Sequence, residues 1–221
     1  MDFWQIFTLV TGVLYIIFEI RQKNIMWVVG IATSLAAMWV FFRQGLYASF
    51  GLNTYYLITA FIGLWHWRRD RQTMLSAGSS SMGPGSSPVM SNEVETSSQA
   101  TDVIILNRLT VKTVLVSAIV TVLGVVVLST GMEWLHDSGL LAENPMSLLD
   151  SAVTVLSAVA TWWLVKSYCE QWLLWIVADS MSVLLCASQG MWWMAFLYLV
   201  YAASAVYGLR YWKKRGTYLL D

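Results

Sequence analysis

The chain is predicted to be an all-α membrane protein of seven transmembrane helices, built as two parallel three-helix repeats around a linker helix. Three observations predict it. The composition is that of a bilayer protein, with 57% hydrophobic and only 12% charged residues and a mean hydropathy of +0.60, where soluble domains carry about 25% charged residues. Seven stretches are long and apolar enough to cross a membrane, which takes about 20 residues each. And a pattern of residues in the third span returns 145 positions later in the seventh.

The first span runs from Phe3 to about Glu19. Its start, MDFWQIFTLV, has no basic leader and no small-residue cleavage site, and reads as a retained helix rather than a signal peptide. The second span covers about Ile25–Phe42 and the third Tyr47–Trp67. Together they complete a first repeat, residues 1–69. Residues 70–110 follow as a flexible loop, because SAGSSSMGPGSSPVMSNEVETSSQ is too polar to bury a core. Its end, VIILNRLTVK, is placed at the membrane interface. The linker span is Val111–Leu135. Spans five to seven, about Met146–Val165, Trp172–Ser188 and Met191–Trp212, form a second repeat within residues 146–215.

Charge fixes the topology. The connections after spans one, three, five and seven carry Arg21, Lys23, Arg68, Arg69, Arg71, Arg108, Lys112, Lys166, Arg210, Lys213, Lys214 and Arg215, which is twelve of the thirteen basic residues. The other side has Arg43 with Glu133, Asp137 and Glu143. By the positive-inside rule the N-terminus is outside and the C-terminus cytoplasmic. A net charge of zero gives no basic surface for nucleic acid.

At the offset of 145, Gln44-Gly45 falls on Gln189-Gly190, Tyr56 on Tyr201, Gly63 on Gly208 and Trp67 on Trp212. Arg68-Arg69 falls on Lys213-Lys214, Trp27 on Trp172 and Arg21 on Lys166. Both copies end in a basic pair, so they share one orientation, and an odd number of helices must lie between them. Parallel repeats of this kind recur in transporters, with the substrate site where the repeats meet.

The polar residues inside the spans are the functional candidates. Asp179 sits in the apolar run WLLWIVADSM, and a carboxylate in hydrocarbon costs on the order of 2.5–3.5 kcal/mol on insertion scales. Trp172, Trp175 and Asp179 fall at i, i+3 and i+7, on one helical face that Cys186 continues. Indoles sandwich flat cationic heteroaromatics, and a carboxylate accepts from hydroxyl or amino groups. Asn53 and Tyr56, one turn apart in the third span, and Tyr198 and Tyr201 in the seventh complete the candidate set. Trp162-Trp163 and Trp192-Trp193 read as interfacial belts, and Glu19 as snorkelling or paired with Arg21. Cys169 and Cys186 read as small buried hydrophobes, and His66 and His136 lack ligand spacing, so neither a metal nor another cofactor is expected. An enzyme is not expected either: no general acid–base pair or second carboxylate lies near Asp179 in sequence.

With these residues in place, the chain resembles the PnuC family of vitamin transporters. The resemblance is carried by Trp172-Leu-Leu-Trp175-Ile-Val-Ala-Asp179, Gln189-Gly190-Met191, Phe196-Leu197-Tyr198-Leu-Val-Tyr201, Gly208-Leu-Arg-Tyr-Trp212, Asn53-Thr-Tyr-Tyr56 and Gly63-Leu-Trp-His-Trp67. It covers about 1–70 and 108–215. It implies the three-plus-one-plus-three arrangement of the sugar-carrying SWEET proteins, a homotrimer in the bacterial inner membrane, and facilitated uptake of a vitamin trapped by cytoplasmic phosphorylation. It also implies that Trp172, Trp175 and Asp179 line the vitamin site. Asn53 departs from the family pattern, since nicotinamide riboside carriers more often show glutamine there. Nicotinamide riboside is the first substrate implied and thiamine the alternative; both are flat cations with hydroxyls.

Overall fold

In the computed structural model the described residues are 15–43, 47–80, 104–140, 146–190 and 192–219. Residues 15–20 are helical and end the first span, whose earlier part lies outside the described residues. Six longer helices follow: α1 (Ile25–Arg43), α2 (Tyr47–Ser80), α3 (Val111–Asp137), α4 (Ser147–Val165), α5 (Gln171–Ser188) and α6 (Trp192–Arg215). Two short strands, β1 (Ile104–Leu106) and β2 (Gly216–Tyr218), pair in parallel with Ile105 opposite Thr217. Among the described residues, α3 to α6 are each long and apolar enough to cross a membrane.

The long loop predicted for 70–110 is shorter at both ends than the sequence suggests. Helix α2 continues to Ser80, and at about 1.5 Å per residue its 34 residues span roughly 51 Å, well beyond a 30 Å hydrocarbon layer. At the other end Ile104, Ile105 and Leu106 are buried at 4% exposure or less, not laid on an interface. Three consecutive apolar residues leave no polar face to solvate, so they pack on both faces as a strand.

The chain divides into two compact units. One holds the residues up to Asn107 together with 164–168 and 211–221; the other holds 108–163 and 169–210. The first gathers the connections that follow spans one, three, five and seven. Trp67 donates from Nε1 to the carbonyl of Leu164 at 3.2 Å, and Trp212 donates to the carbonyl of Ile20 at 2.8 Å. The two contacts are reciprocal, since each tryptophan closes one predicted repeat and bonds the helix end that opens the other. Asn107 bonds Asp70 Oδ2 at 3.1 Å and the Lys166 carbonyl at 2.9 Å, and its backbone pairs with Tyr168. Glu19 is buried in this unit while Arg21 is exposed, so of the two expected arrangements, snorkelling or pairing with Arg21, the snorkelling one does not hold.

In the second unit, α3 approaches α4 at Gly124, where a Cβ would stand 3.1 Å from Val155. Trp163 is buried and donates to Ser117 Oγ at 3.0 Å, which corrects its reading as a belt residue. Trp162, Trp192 and Trp193 are exposed, as belt residues are. Along α3 nearly every large apolar side chain is exposed, which suits a helix solvated by lipid. The helix stops at a Schellman turn: Gly139, at φ +73°, donates to His136, and Leu140 donates to Leu135.

Each unit also contains the same indole-into-glycine contact. A Cβ on Gly63 would lie 2.4 Å from the Trp27 ring, and one on Gly208 would lie 2.7 Å from the Trp172 ring. Only glycine lets these rings seat against the helix backbone.

Candidate functional site

Helix α5 carries the centre of the candidate site. Its buried residues are Gln171, Trp172, Ala178, Asp179, Ser182 and Cys186, so the face predicted from the i, i+3 and i+7 spacing packs inward at Trp172, Asp179 and Cys186 but only in part at Trp175. Trp172, at the first turn, is 2% exposed and fills the Gly208 notch, which gives it a packing contact of its own. Trp175 is half-buried, and its indole N–H is shielded from solvent with no partner among the described residues. One turn on, Asp179 is 7% exposed. Helix geometry places residues i and i+4 side by side, so indole and carboxylate form one wall.

The facing chemistry comes from α6. Tyr198 and Tyr201 stand one turn apart with ring centroids 6.0 Å apart and planes at 89°, an edge-to-face pair. Asp179 is near enough to act electrostatically on both phenols. Asp150 acts likewise on Tyr198, and the Cys186 thiol lies in the same neighbourhood. Thus Trp172, Trp175, Asp179, Tyr198 and Tyr201 all belong to one unit, and the last three share one electrostatic neighbourhood.

Asp150 was not singled out from the sequence. The signal was there, a carboxylate within an apolar span, and the first turn of α4 is a position where the helix dipole favours a negative charge. Asn53 and Tyr56 are half-buried on α2 in the other unit. There Tyr56 lies 5.7 Å from the Tyr55 ring, centroid to centroid, and within electrostatic reach of Tyr15, beside which Glu19 also stands. Thr59 bonds the carbonyls of Tyr55 and Tyr56, each at 3.0 Å, and so satisfies its hydroxyl within the helix. Among the described residues no group of three metal-ligating side chains converges.

A half-buried indole one turn from a carboxylate, with two phenols in that carboxylate's electrostatic neighbourhood, is chemistry suited to a flat cation. Comparison with known proteins bears on what it serves. The family model described as nicotinamide mononucleotide transporter matches residues 2–214. The chain belongs to that family. It is therefore a multi-pass membrane protein of a transporter family. Among its relatives is the nicotinamide riboside transporter PnuC of Neisseria mucosa, 26% identical over 214 residues, covering 93% of this chain and 70% of that one. The Escherichia coli K12 nicotinamide riboside transporter PnuC is 36% identical over 76 residues, a third of each protein. A crystal structure of the vitamin B3 transporter PnuC superposes with a TM-score of 0.58 at 26% identity, covering 94% of this chain and 79% of that one.

Proposed function

We propose that this member of the family carries nicotinamide riboside across the bacterial inner membrane by facilitated diffusion, with phosphorylation in the cytoplasm trapping the vitamin. The observation that carries the reading is the placement of Asp179 beside Tyr198 and Tyr201, one turn from Trp175 on its own helix. Nicotinamide riboside is a pyridinium with ribose hydroxyls. The aromatic rings stack on its charged heterocycle, and the carboxylate offsets the charge or accepts from the sugar. The names of the relatives support the same substrate.

The electrostatics favour the riboside over the mononucleotide. Asp179 and Asp150 both act on Tyr198, and a phosphate placed beside two carboxylates is repelled. Twelve of thirteen basic residues lie in the odd-numbered connections, where they hold the orientation rather than the ligand. The N-terminus is outside and the C-terminus cytoplasmic in this reading. The arrangement is three plus one plus three, supported by the indole-into-glycine pair repeated in each unit. The transporter assembles as a homotrimer in the lipid bilayer, needs no cofactor and has no catalytic site. Trp172 anchors the start of α5 against Gly208.

Thiamine is the second reading, since Asn53 is one methylene shorter than the glutamine that the family resemblance implies for a riboside carrier. Calorimetry on the purified protein with nicotinamide riboside, its mononucleotide and thiamine separates the cases. Low-micromolar or tighter binding of the riboside alone is expected. Binding of thiamine alone overturns the substrate, and binding of the mononucleotide as tightly as the riboside overturns the electrostatic reasoning.

A further inference from the structure

The helix ends before Lys23 and Lys166 share an unusual backbone. Gln22, at φ +48°, donates to Glu19 while Lys23 donates to Phe18, both at 2.9 Å, which is a Schellman turn with glutamine where glycine is usual. Ser167, at φ +55°, donates to Leu164 at 2.9 Å in the matching place. Left-handed backbone is unfavourable for both residues, and glycine would remove that penalty. Their side chains explain why glycine is absent: Gln22 Nε2 donates to Ser167 Oγ at 3.2 Å, across 145 positions of sequence.

Gln22 does more than meet its counterpart. Its amide accepts from the Ile105 N–H at 2.7 Å and donates to the Ile105 carbonyl at 2.8 Å. This copies the way a neighbouring strand would pair with β1. Strand β1 thus has β2 on one edge, and on the other the Gln22 side chain followed by Ser167, whose carbonyl accepts from Asn107 N at 3.2 Å. One buried glutamine, 3% exposed, ties together the connections after spans one, three and five, and β1 adds the connection after span seven.

We propose that Gln22 is the release point of a closed gate on this face of the membrane. In this proposal β1 is the bar, and the face opens when the Gln22 amide lets go of Ile105 and Ser167. The proposal rests on the transport reading for its purpose, but its test does not need the substrate.

Cys169, just past the Asn107–Tyr168 pair, is 2% exposed and reports opening. The experiment labels inside-out and right-side-out vesicles with a membrane-impermeant maleimide, without vitamin, and follows Cys169 by peptide mass. Three variants are compared with the natural chain. Gln22→Asn keeps an amide and tolerates the left-handed backbone but is one methylene too short to hold Ile105. Ile105→Pro removes the N–H that Gln22 accepts and leaves the strand extended. Ser167→Ala removes the 3.2 Å bond alone.

From the cytoplasmic side, Gln22→Asn and Ile105→Pro are expected to raise the labelling rate about tenfold, in proportion to the bonds lost, and Ser167→Ala less. Scoring only protein that elutes like the natural chain keeps unfolding out of the result. Unchanged labelling in all three overturns the gate. Raised labelling in a protein that shows no nicotinamide riboside counterflow supports the gate and overturns the transport reading instead.

Discussion

Gly208→Ala is expected to destabilise the second unit and to do so through Trp172. The added Cβ would stand 2.7–2.8 Å from three atoms of the indole. Reaching an ordinary contact of 3.4 Å takes a shift of about 0.6–0.7 Å, and the ring has no free space to take it, being 2% exposed. Overpacking of this kind typically costs about 1–3 kcal/mol. In a chain of this size that corresponds to about 2–4 °C of melting midpoint per kcal/mol. The assay is thermal unfolding of the purified protein in detergent. A two-step cycle assigns the cause: in a Trp172→Leu background the same Gly208→Ala change should cost less, because the ring it strikes is gone. The mirrored pair, Gly63→Ala with Trp27→Leu, should behave alike, the clash there being 2.4–2.6 Å. Equal melting of Gly208→Ala and the natural chain would refute the reasoning. So would a cost that stays the same when Trp172 is removed.

Four further outcomes are expected. Asp179→Asn should weaken nicotinamide riboside by tenfold or more in calorimetry, since in the proposed site it removes the charge that offsets the pyridinium, while a neutral riboside analogue should lose little. Trp175→Leu should cost about 0.5–2 kcal/mol of binding through lost cation–π contact; affinity equal to that of the natural chain would favour a sugar-type carrier. Trp67→Phe and Trp212→Phe each lose one indole N–H bond, to Leu164 and Ile20, and should lower stability by similar amounts, about 0.5–1.5 kcal/mol, read in the same melting assay. Deleting residues 83–98 should leave counterflow intact, whereas extending the deletion through Asn107 should abolish it, because β1 and the Asn107 bonds go with it.

Much of this was legible in the residues. The spacing of Trp172, Trp175, Asp179 and Cys186 named a face of α5 that is buried at all but Trp175, because burial follows the helical period when one side meets protein and the other lipid. The matches of Gly63 with Gly208 and of Trp27 with Trp172 were legible as a repeat, but the seating of Trp27 on Gly63 and of Trp172 on Gly208 was not. What remained hidden depended on distant partners. Nothing local marks Gln22 as important, since its role is set by Ile105 and Ser167, 83 and 145 positions away. The strand at 104–106 is too short to show a period and reads as the tail of a polar loop. Trp163 looked like a belt residue because its neighbour Trp162 is one; only the hydroxyl of Ser117 on another helix separates them. Asp150, in the first turn of α4, lies near the end of its span, where a carboxylate is less conspicuous than Asp179 within its apolar run.

The parallel pairing of β1 with β2 sets a timetable for biogenesis. Gln22 leaves the ribosome early, but β2 does not exist until Tyr218 has been made, 196 residues later. At about 5–20 residues per second that interval is roughly 10–40 s. During it Trp67 waits for Leu164 and Ile20 waits for Trp212. The nascent first half therefore stays open at the face that later carries the bonds, and is exposed there to insertion factors and proteases until synthesis reaches its last strand.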